Sequence, residues 1–411
     1  PYSPLAIAAM GAGAQGKGFA PQRFTTSHRA SVAAGAPMIE AGLWYRPSYF
    51  PKPGEKTWRQ SCDREVNHVR NAVGICDVST LGKIDIQGPD AAALLDFVYI
   101  NTFSTLKVGR VRYGLMLRED GTVLDDGTCA RLGATRFVMT TTTAAAGTVM
   151  RHLEFVAQCL RPEWQVAMTS TTEQWAQFAV AGPKSRELLN GLLDAPIDND
   201  NWPFMACGEV SVLGVGGRLF RISFSGEHAY EIAVPARYGE ALFRELVARA
   251  EGFGGGAYGM EALNVLRIEK GFITHSEIHG RTTAYDVGMG RMISATKDCI
   301  GKVMAARPGS VVKDRERLVG FKPIGAVKQL SAGAHVFAAG AQASRENDQG
   351  YITSVGFSPS FGAYIGLGFV KSGPERYGEV MRAVDHLHEL EVEVEICPPV
   401  FVDPEGRRAR G

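Results

Sequence analysis

At 411 residues the chain exceeds one ordinary core, so two or three domains are expected. Its 45% hydrophobic and 21% charged content are globular values, and 44 Lys plus Arg against 43 Asp plus Glu leaves no net field to favour nucleic acid or an anionic membrane. No apolar run reaches the roughly 20 residues that span a bilayer, and Leu5 to Met10 is too short, and lacks the basic flank, for a secretory leader.

Residues 1 to about 40 are rich in Ala, Gly, Pro and Ser and read as an extended arm or linker. The start at Pro1, without methionine, suggests the rear part of a longer polypeptide. Trp44 to Pro51 is an aromatic and proline cluster whose prolines exclude a regular helix, so an irregular packed segment is expected. Ile84-Asp85-Ile86-Gln87-Gly88-Pro89 followed by a helical run is echoed by Phe178-Ala179-Val180-Ala181-Gly182-Pro183 and a second helical run. The repeated strand, Gly-Pro turn and helix point to two similar α+β halves.

Two apolar runs flank Asp120-Gly121, a strong hairpin signal, and the second run ends in Asp125 and Asp126. Residues alternate sides along a strand, so one acid of the pair is expected in solvent and the other facing inward. Phe137 to Thr142 reads as a strand. Helical spacing marks Val149 to Leu160, Arg237 to Ala250, and Met260 to Lys270 with Gly271 as its cap. After about residue 316 short strands dominate, among them Arg317–Phe321, Tyr351–Val355, Tyr364–Val370 and the strictly alternating Leu390–Ile396. These predict a small β-barrel or sandwich.

The seven cysteines are odd in number, widely spaced and without a Cys-x-x-Cys pair, which argues for a reducing, cytoplasmic compartment and against a zinc site. His275 and His279, four apart, follow a helix cap and read as loop residues rather than metal ligands. The run from Gly252 to Gly259 lacks the strand-to-helix context of a dinucleotide loop.

Two acids stand out. Asp126, with Asp125, reads either as a pair satisfied by backbone donors or as a ligand contact. Glu231, in an apolar strand after a Ser-Gly turn, reads either as a solvated strand end or as a carboxylate able to take paired hydrogen bonds from a flat heterocycle bearing an amino group beside a ring N–H. Tyr113 and Phe224 lie near these acids as core or as ligand platform. Arg46, Arg221 and Arg267 can anchor a carboxylated tail or pair with structural acids.

Taken together, these motifs resemble the folate-dependent aminomethyltransferase family, the glycine cleavage T-protein and its relatives. The resemblance rests on Cys76-Asp77-Val78-Ser79-Thr80-Leu81-Gly82-Lys83, Gly88-Pro89, Tyr113-Gly114-Leu115-Met116, Gly121-Thr122-Val123-Leu124-Asp125-Asp126, Gly226 to Glu231, Leu266-Arg267-Ile268-Glu269, and Tyr351 to Pro359. Gly42 to Pro51, Gly259 to Asn264, Glu269 to Phe272 and Pro399 to Gly406 look closest to the C-terminal half of sarcosine oxidase α subunits within that family.

The resemblance implies an α+β, three-lobed (cloverleaf) fold: an arm over 1–40, a folate-binding region of two α+β lobes over 41–312, and a C-terminal β-barrel over 313–411. It implies tetrahydrofolate as the ligand, Asp126 as the acid for one-carbon transfer, Glu231 as the pterin carboxylate, Tyr113 and Phe224 as ring contacts, and Arg221 as a further contact. The reaction it implies is capture of the iminium or formaldehyde left by sarcosine oxidation, giving 5,10-methylenetetrahydrofolate and requiring no metal. FAD, FMN and NAD are expected only in the rest of such a complex, with a flavin-bearing β subunit and small subunits as partners. A free-standing aminomethyltransferase and a non-catalytic folate-binding scaffold are the alternatives. The chain departs from the T-protein pattern at Thr80-Leu81, at Leu263, and at Thr274-His275-Ser276-Glu277, where most relatives carry Gly-Gln-Asp.

Overall fold

The computed structural model describes residues 22–411. Residues 1–21, half of the expected arm, lie outside that range. From residue 22 the chain is packed rather than extended. β1 (Arg23–Phe24), β2 (Met38–Ala41) and β3 (Trp44–Pro47) form a small sheet in the order β1-β3-β2, with the helix His28–Ala33 between the first two strands. Ser27 Oγ donates to the Asp77 carboxylate and docks this segment. Trp44–Pro47 is therefore a strand, where an irregular segment was expected. Pro47 is tolerated because it ends the strand, and pairing resumes as Ser48 N–H donates to Pro37 O at 2.7 Å.

The chain then lays β4 (Gly74–Asp77) in one sheet and β5–β9 (Gly82–Gln87, Arg110–Leu117, Val123–Gly133, Arg136–Thr141, Ala167–Ser170) in a second. It returns to the first with β10–β14 (Trp175–Ala181, Cys207–Val212, Val215–Phe220, Ala229–Pro235, Gly256–Ala257). The first lobe's sheet has the order β11-β12-β13-β10-β4-β14 and the second β6-β7-β8-β5-β9. The anticipated echo is real. β5 turns at Gly88 into the helix Ala91–Val98, and β10 turns at Gly182 into the helix Ser185–Asn190. Both glycines hold nearly the same left-handed φ, +134° and +132°, and a Cβ on either would strike a backbone carbonyl, Gln165 O or Ala72 O.

Each sheet buries its outer face under helices. Phe178, Val180, Ile232 and Val234 pack against Leu188, Leu189, Leu242 and Phe243 in the first lobe. Ile84, Ile86, Phe137 and Met139 pack against Leu94, Leu95, Val149 and Leu153 in the second. The inner faces meet across Val111, Ala130, Phe220 and Ala233. Register and alternation place every inner-facing residue. In the second lobe Ala130 opposes Val111 and Val138, Thr128 opposes Tyr113, and Lys83 opposes Thr140. Tyr113, Asp126, Thr128, Thr140, Lys83 and Asp85 therefore share the face that looks at the first lobe. In the first lobe Glu231 opposes Phe220 and Ala179, and Ala233 opposes Gln177, so Glu231 and Gln177 look back.

The third lobe is a closed barrel, in the order β15-β18-β17-β16-β19-β20, built from β15–β20 (Glu316–Pro323, His335–Ala338, Asp348–Ser358, Ala363–Lys371, Val380–Asp385, Leu390–Cys397). The alternation of the last strand holds: Val392, Val394 and Ile396 line the barrel core. The helix Met260–Lys270, ended by Gly271 at φ +71°, joins lobes to barrel, with Arg267 donating to Ser354 Oγ at 2.5 Å. The segment after β20 then straps back over the first lobe. Arg408 pairs with Glu227 at 2.7 Å, Lys270 with Asp403 at 3.2 Å, and Arg221 donates to Arg410 O at 2.6 Å. Among the described residues no helix is long and apolar enough to cross a membrane.

Candidate functional site

Asp125 and Asp126 do not divide between solvent and interior as alternation suggested. Asp125 is 3% exposed and accepts from Thr142 N–H (3.1 Å) and Thr142 Oγ1 (2.8 Å). The reason is that helices cover the outer face of this sheet, where Asp125 points. The reading in which backbone donors satisfy the pair fits Asp125. Asp126 is different: its Oδ2 accepts from the Tyr113 hydroxyl at 2.8 Å, across one strand pair. Burial, then the Asp125 charge, pushes the Asp126 carboxyl up to about 7, and burial pushes Asp125 up to about 6. The Tyr113 phenol is raised too, by burial and by Asp126.

Glu231 stands in the middle of β13 rather than at a solvated strand end, and is 7% exposed. Gln177 Nε2 donates to its Oε2, and Oε1 takes no hydrogen bond among the described residues. Burial raises its carboxyl, with Gln177, Lys83 and Arg46 acting in the opposite direction. A buried carboxylate with one open oxygen, backed by a fixed amide, suits a planar ligand that offers adjacent N–H donors.

The remaining expected residues separate. Phe224 is 38% exposed and stacks on Phe272, with centroids 5.7 Å apart and planes at 22°. That is a platform for a flat ring, but its recorded contact is Phe272 rather than either acid. Arg221 is not brought to the acids. Its guanidinium donates to Trp202 O (2.7 Å) and Arg410 O (2.6 Å) and sits 6.0 Å from the Tyr230 ring. Tyr230 adjoins Glu231 in the strand and so faces the other side of the sheet. Arg46 and Arg267 are likewise occupied, on Asp77 O (2.8 Å) and Glu277 (3.0 Å).

Three residues to which the sequence reading gave no role stand out, Ser79 and Lys83 between the lobes and Glu277 at the barrel junction. Ser79 Oγ accepts from Gln177 N–H (2.9 Å) and donates to Gln177 O (3.2 Å), which fixes the amide that holds Glu231. Lys83, 3% exposed, reaches Ser79 O and Leu81 O. Glu277, within the divergent Thr274–Glu277 stretch, is fully buried and accepts from Arg267, Thr274 N–H, Thr353 and Ser354. The signal for Lys83 was present: Lys83, Asp85 and Gln87 alternate with Ile84 and Ile86.

Tetrahydrofolate, the ligand implied by the sequence motifs, fits these groups. Glu231 Oε1 is an open acceptor matched to a 2-amino-pyrimidinone edge, and Phe224 is a partly exposed aromatic face. Two open hollows lie elsewhere: about 350 Å³ beside His279, Tyr351 and Lys371, and about 460 Å³ beside Trp202 and Glu209. The polar geometry of the groove outweighs cavity size as a guide, because neither hollow gathers buried carboxylates that are short of partners.

Comparison with known proteins agrees with this fold. The GCVT N-terminal domain model matches residues 27–297, and the glycine cleavage T-protein C-terminal barrel domain model matches residues 316–403. The chain belongs to the glycine cleavage T-protein family. Among its relatives are the sarcosine oxidase subunit α of Rhizobium meliloti (strain 1021), 48% identical over 99% of this chain and 42% of the relative, and an aminomethyltransferase of Thermus thermophilus, 31% identical over 85% of this chain and 92% of the relative. The chain thus spans less than half the length of the sarcosine oxidase subunits it matches. The solved aminomethyltransferase T of the Bartonella henselae glycine cleavage system shares the fold, with a TM-score of 0.79 at 23% identity over 93% of this chain and 98% of that one.

Proposed function

We propose that this chain is a tetrahydrofolate-dependent one-carbon transferase unit of a sarcosine oxidase α subunit, forming 5,10-methylenetetrahydrofolate from the iminium or formaldehyde that sarcosine oxidation releases. The observation that carries this reading is a pair of inward-facing carboxylates, one on each lobe. Asp126 on one lobe is held by Tyr113, and Glu231 on the other is held by Gln177 with one oxygen open.

Bound tetrahydrofolate would supply the nitrogen nucleophile that takes up the carbon unit. Glu231 would orient the ring through paired hydrogen bonds, and the aromatic face of Phe224 would pack on it. Asp126 would hold or accept a proton near the reacting nitrogens. A carboxyl at about 7 exchanges protons readily at neutral pH, which suits general acid–base work. The Tyr113 hydroxyl fixes one oxygen of Asp126 and so limits its freedom. A 48% identical sarcosine oxidase subunit matching almost the whole chain favours sarcosine as the carbon source and a flavin-bearing partner subunit as its oxidant.

Anaerobic calorimetric titration with tetrahydrofolate tests the reading. The wild type is expected to bind in the micromolar range, and Glu231→Ala to lose roughly 2 kcal/mol, about 30-fold in affinity. Unchanged binding by Glu231→Ala would remove Glu231 from the ligand site.

A further inference from the structure

Lys83 is a buried cation for which the proposed reaction, as described so far, has no use. It lies on the inner face of β5, 3% exposed, opposite Thr140. Its ammonium donates to Ser79 O at 2.9 Å and Leu81 O at 3.0 Å, and no carboxylate of the described residues pairs with it at ion-pair distance. An ammonium buried on two neutral carbonyls is costly, and proteins rarely keep one without a counter-charge or a ligand. Carboxylates of the first lobe supply the compensating charge, Asp77 first and then Glu231. Lys83 and Glu231 are tied to the same knot: Lys83 to Ser79 O, Ser79 Oγ to the Gln177 backbone, and the Gln177 amide to Glu231.

We infer that Lys83 is a positioning residue for ligand recognition: its ammonium, held at a fixed separation from Glu231 by the Ser79–Gln177 knot, keeps that carboxylate ionised inside the groove. This rests on the folate reading for the identity of the ligand, but the charge coupling does not. A directly bonded lysine would occupy the oxygens the ligand needs. A lysine set back on carbonyls supplies the field and leaves Oε1 open. The charged groups around Lys83 are Asp77 and Glu231, which favour its charge, and Arg46, which opposes it and, like Lys83, favours the ionised Glu231. Asp77 is already engaged by Ser27 and by Ser79 N–H, which leaves Glu231 as the carboxylate still short of partners. Burial brings the Lys83 ammonium down to about 8. The field on Glu231 therefore weakens as pH rises through that value.

The first test needs no ligand. In the protein as isolated in its native assembly, the infrared band of the protonated Glu231 carboxyl, assigned by its loss in Glu231→Gln, is followed against pH. Lys83→Met is expected to move the Glu231 titration upward by about one to two pH units, the size of a unit charge several ångströms away at an effective dielectric near 20. Lys83→Arg, which keeps the charge, is expected to stay near wild type. A folded Lys83→Met protein with an unshifted Glu231 band overturns the inference, as does an equal shift in both variants. Tetrahydrofolate affinity across the same pH range then reads the consequence. In wild type it falls above about pH 8, and in Lys83→Met its acid limb moves up with the Glu231 band. A loss of affinity uniform in pH would show that Lys83 only braces the Ser79–Leu81 turn, and would also overturn the inference. Coupled titration in a wild type that binds no tetrahydrofolate would instead overturn the folate reading.

Discussion

Two groups of buried charge in this molecule differ in how completely they are paired. Around Arg70 every charge has an answer. Its Nε donates to Glu269 at 2.9 Å and Nη1 to Glu227 at 2.7 Å; Ser358 covers the second oxygen of Glu269, and Arg408 comes in from the strap to meet Glu227. This knot joins first lobe, barrel and C-terminal segment. In the groove between the lobes Glu231 and Lys83 are as hidden from bulk water and Asp126 is half-buried, and all three are under-partnered. Charges paired in full hold a fold together. Charges buried and left short of partners have carboxyls pushed towards neutral pH and oxygens free for a ligand, which is how a functional site differs from glue.

The sharpest way to break the comparison is in the knot. Arg70→Met strands Glu269 and part of Glu227 and should cost about 3–5 kcal/mol of unfolding free energy, with tetrahydrofolate affinity unchanged while the protein stays folded. Chemical denaturation together with calorimetry checks both halves. In the groove the pattern should invert. Asp126→Asn should cut one-carbon transfer by about 10²-fold or more while preserving folate affinity, as for a lost acid–base group, and single-turnover formation of 5,10-methylenetetrahydrofolate would read it.

The same substitution should raise stability, with a predictable sign. The folded-state carboxyls of Asp125 and Asp126, at about 6 and 7, lie above their unfolded values, so the folded protein holds more protons between about pH 4 and 7. Their contribution is present in full below that window and fades as pH rises through it. Asp126→Asn should therefore gain on wild type more at pH 8 than at pH 5, and urea melts at the two pH values would show it. An equal difference at both would mean that the carboxyl is not strained by burial. The smallest effect is expected at Phe224. Replacing it with Leu removes one aromatic face and should weaken folate binding by about 1 kcal/mol or less.

Much of the architecture was legible in the chain. The barrel strands declared themselves by alternation, the helix Met260–Lys270 by its glycine cap, and the two lobes by the paired Gly-Pro turns. Asp126, Tyr113 and Glu231 were singled out by the motifs around them, and each lies on an inner face of its lobe. The failures share one cause. Alternation says which side of a strand is apolar, not what covers the other side. One acid of the Asp125–Asp126 pair was expected in solvent, yet Asp125 lies under the outer helices and Asp126 looks onto the facing lobe, as do Lys83 and Asp85. Arg221 was misplaced for a related reason: strand neighbours of Glu231 lie on both sides of its sheet, and its partners come from Trp202 and from Arg410, 189 positions away. Over residues 22–40 the expected arm gave way to packed structure, because its small residues hide Ser27, whose bond to Asp77 is 50 positions distant.

The strap that follows the barrel has a consequence for the order in which the molecule is made. Arg221 and Glu227 enter the growing chain with the first lobe, but Arg410 O and Arg408, which complete their bonding, arrive 189 and 181 residues later. At an elongation rate of roughly 5–20 residues per second, the first lobe waits on the order of ten seconds or more with that part of their bonding unmade, while the barrel between them is still being synthesised. Closure of this lobe is thus tied to completion of the barrel, and a nascent chain stalled before Arg408 should carry a first lobe that proteases can still open.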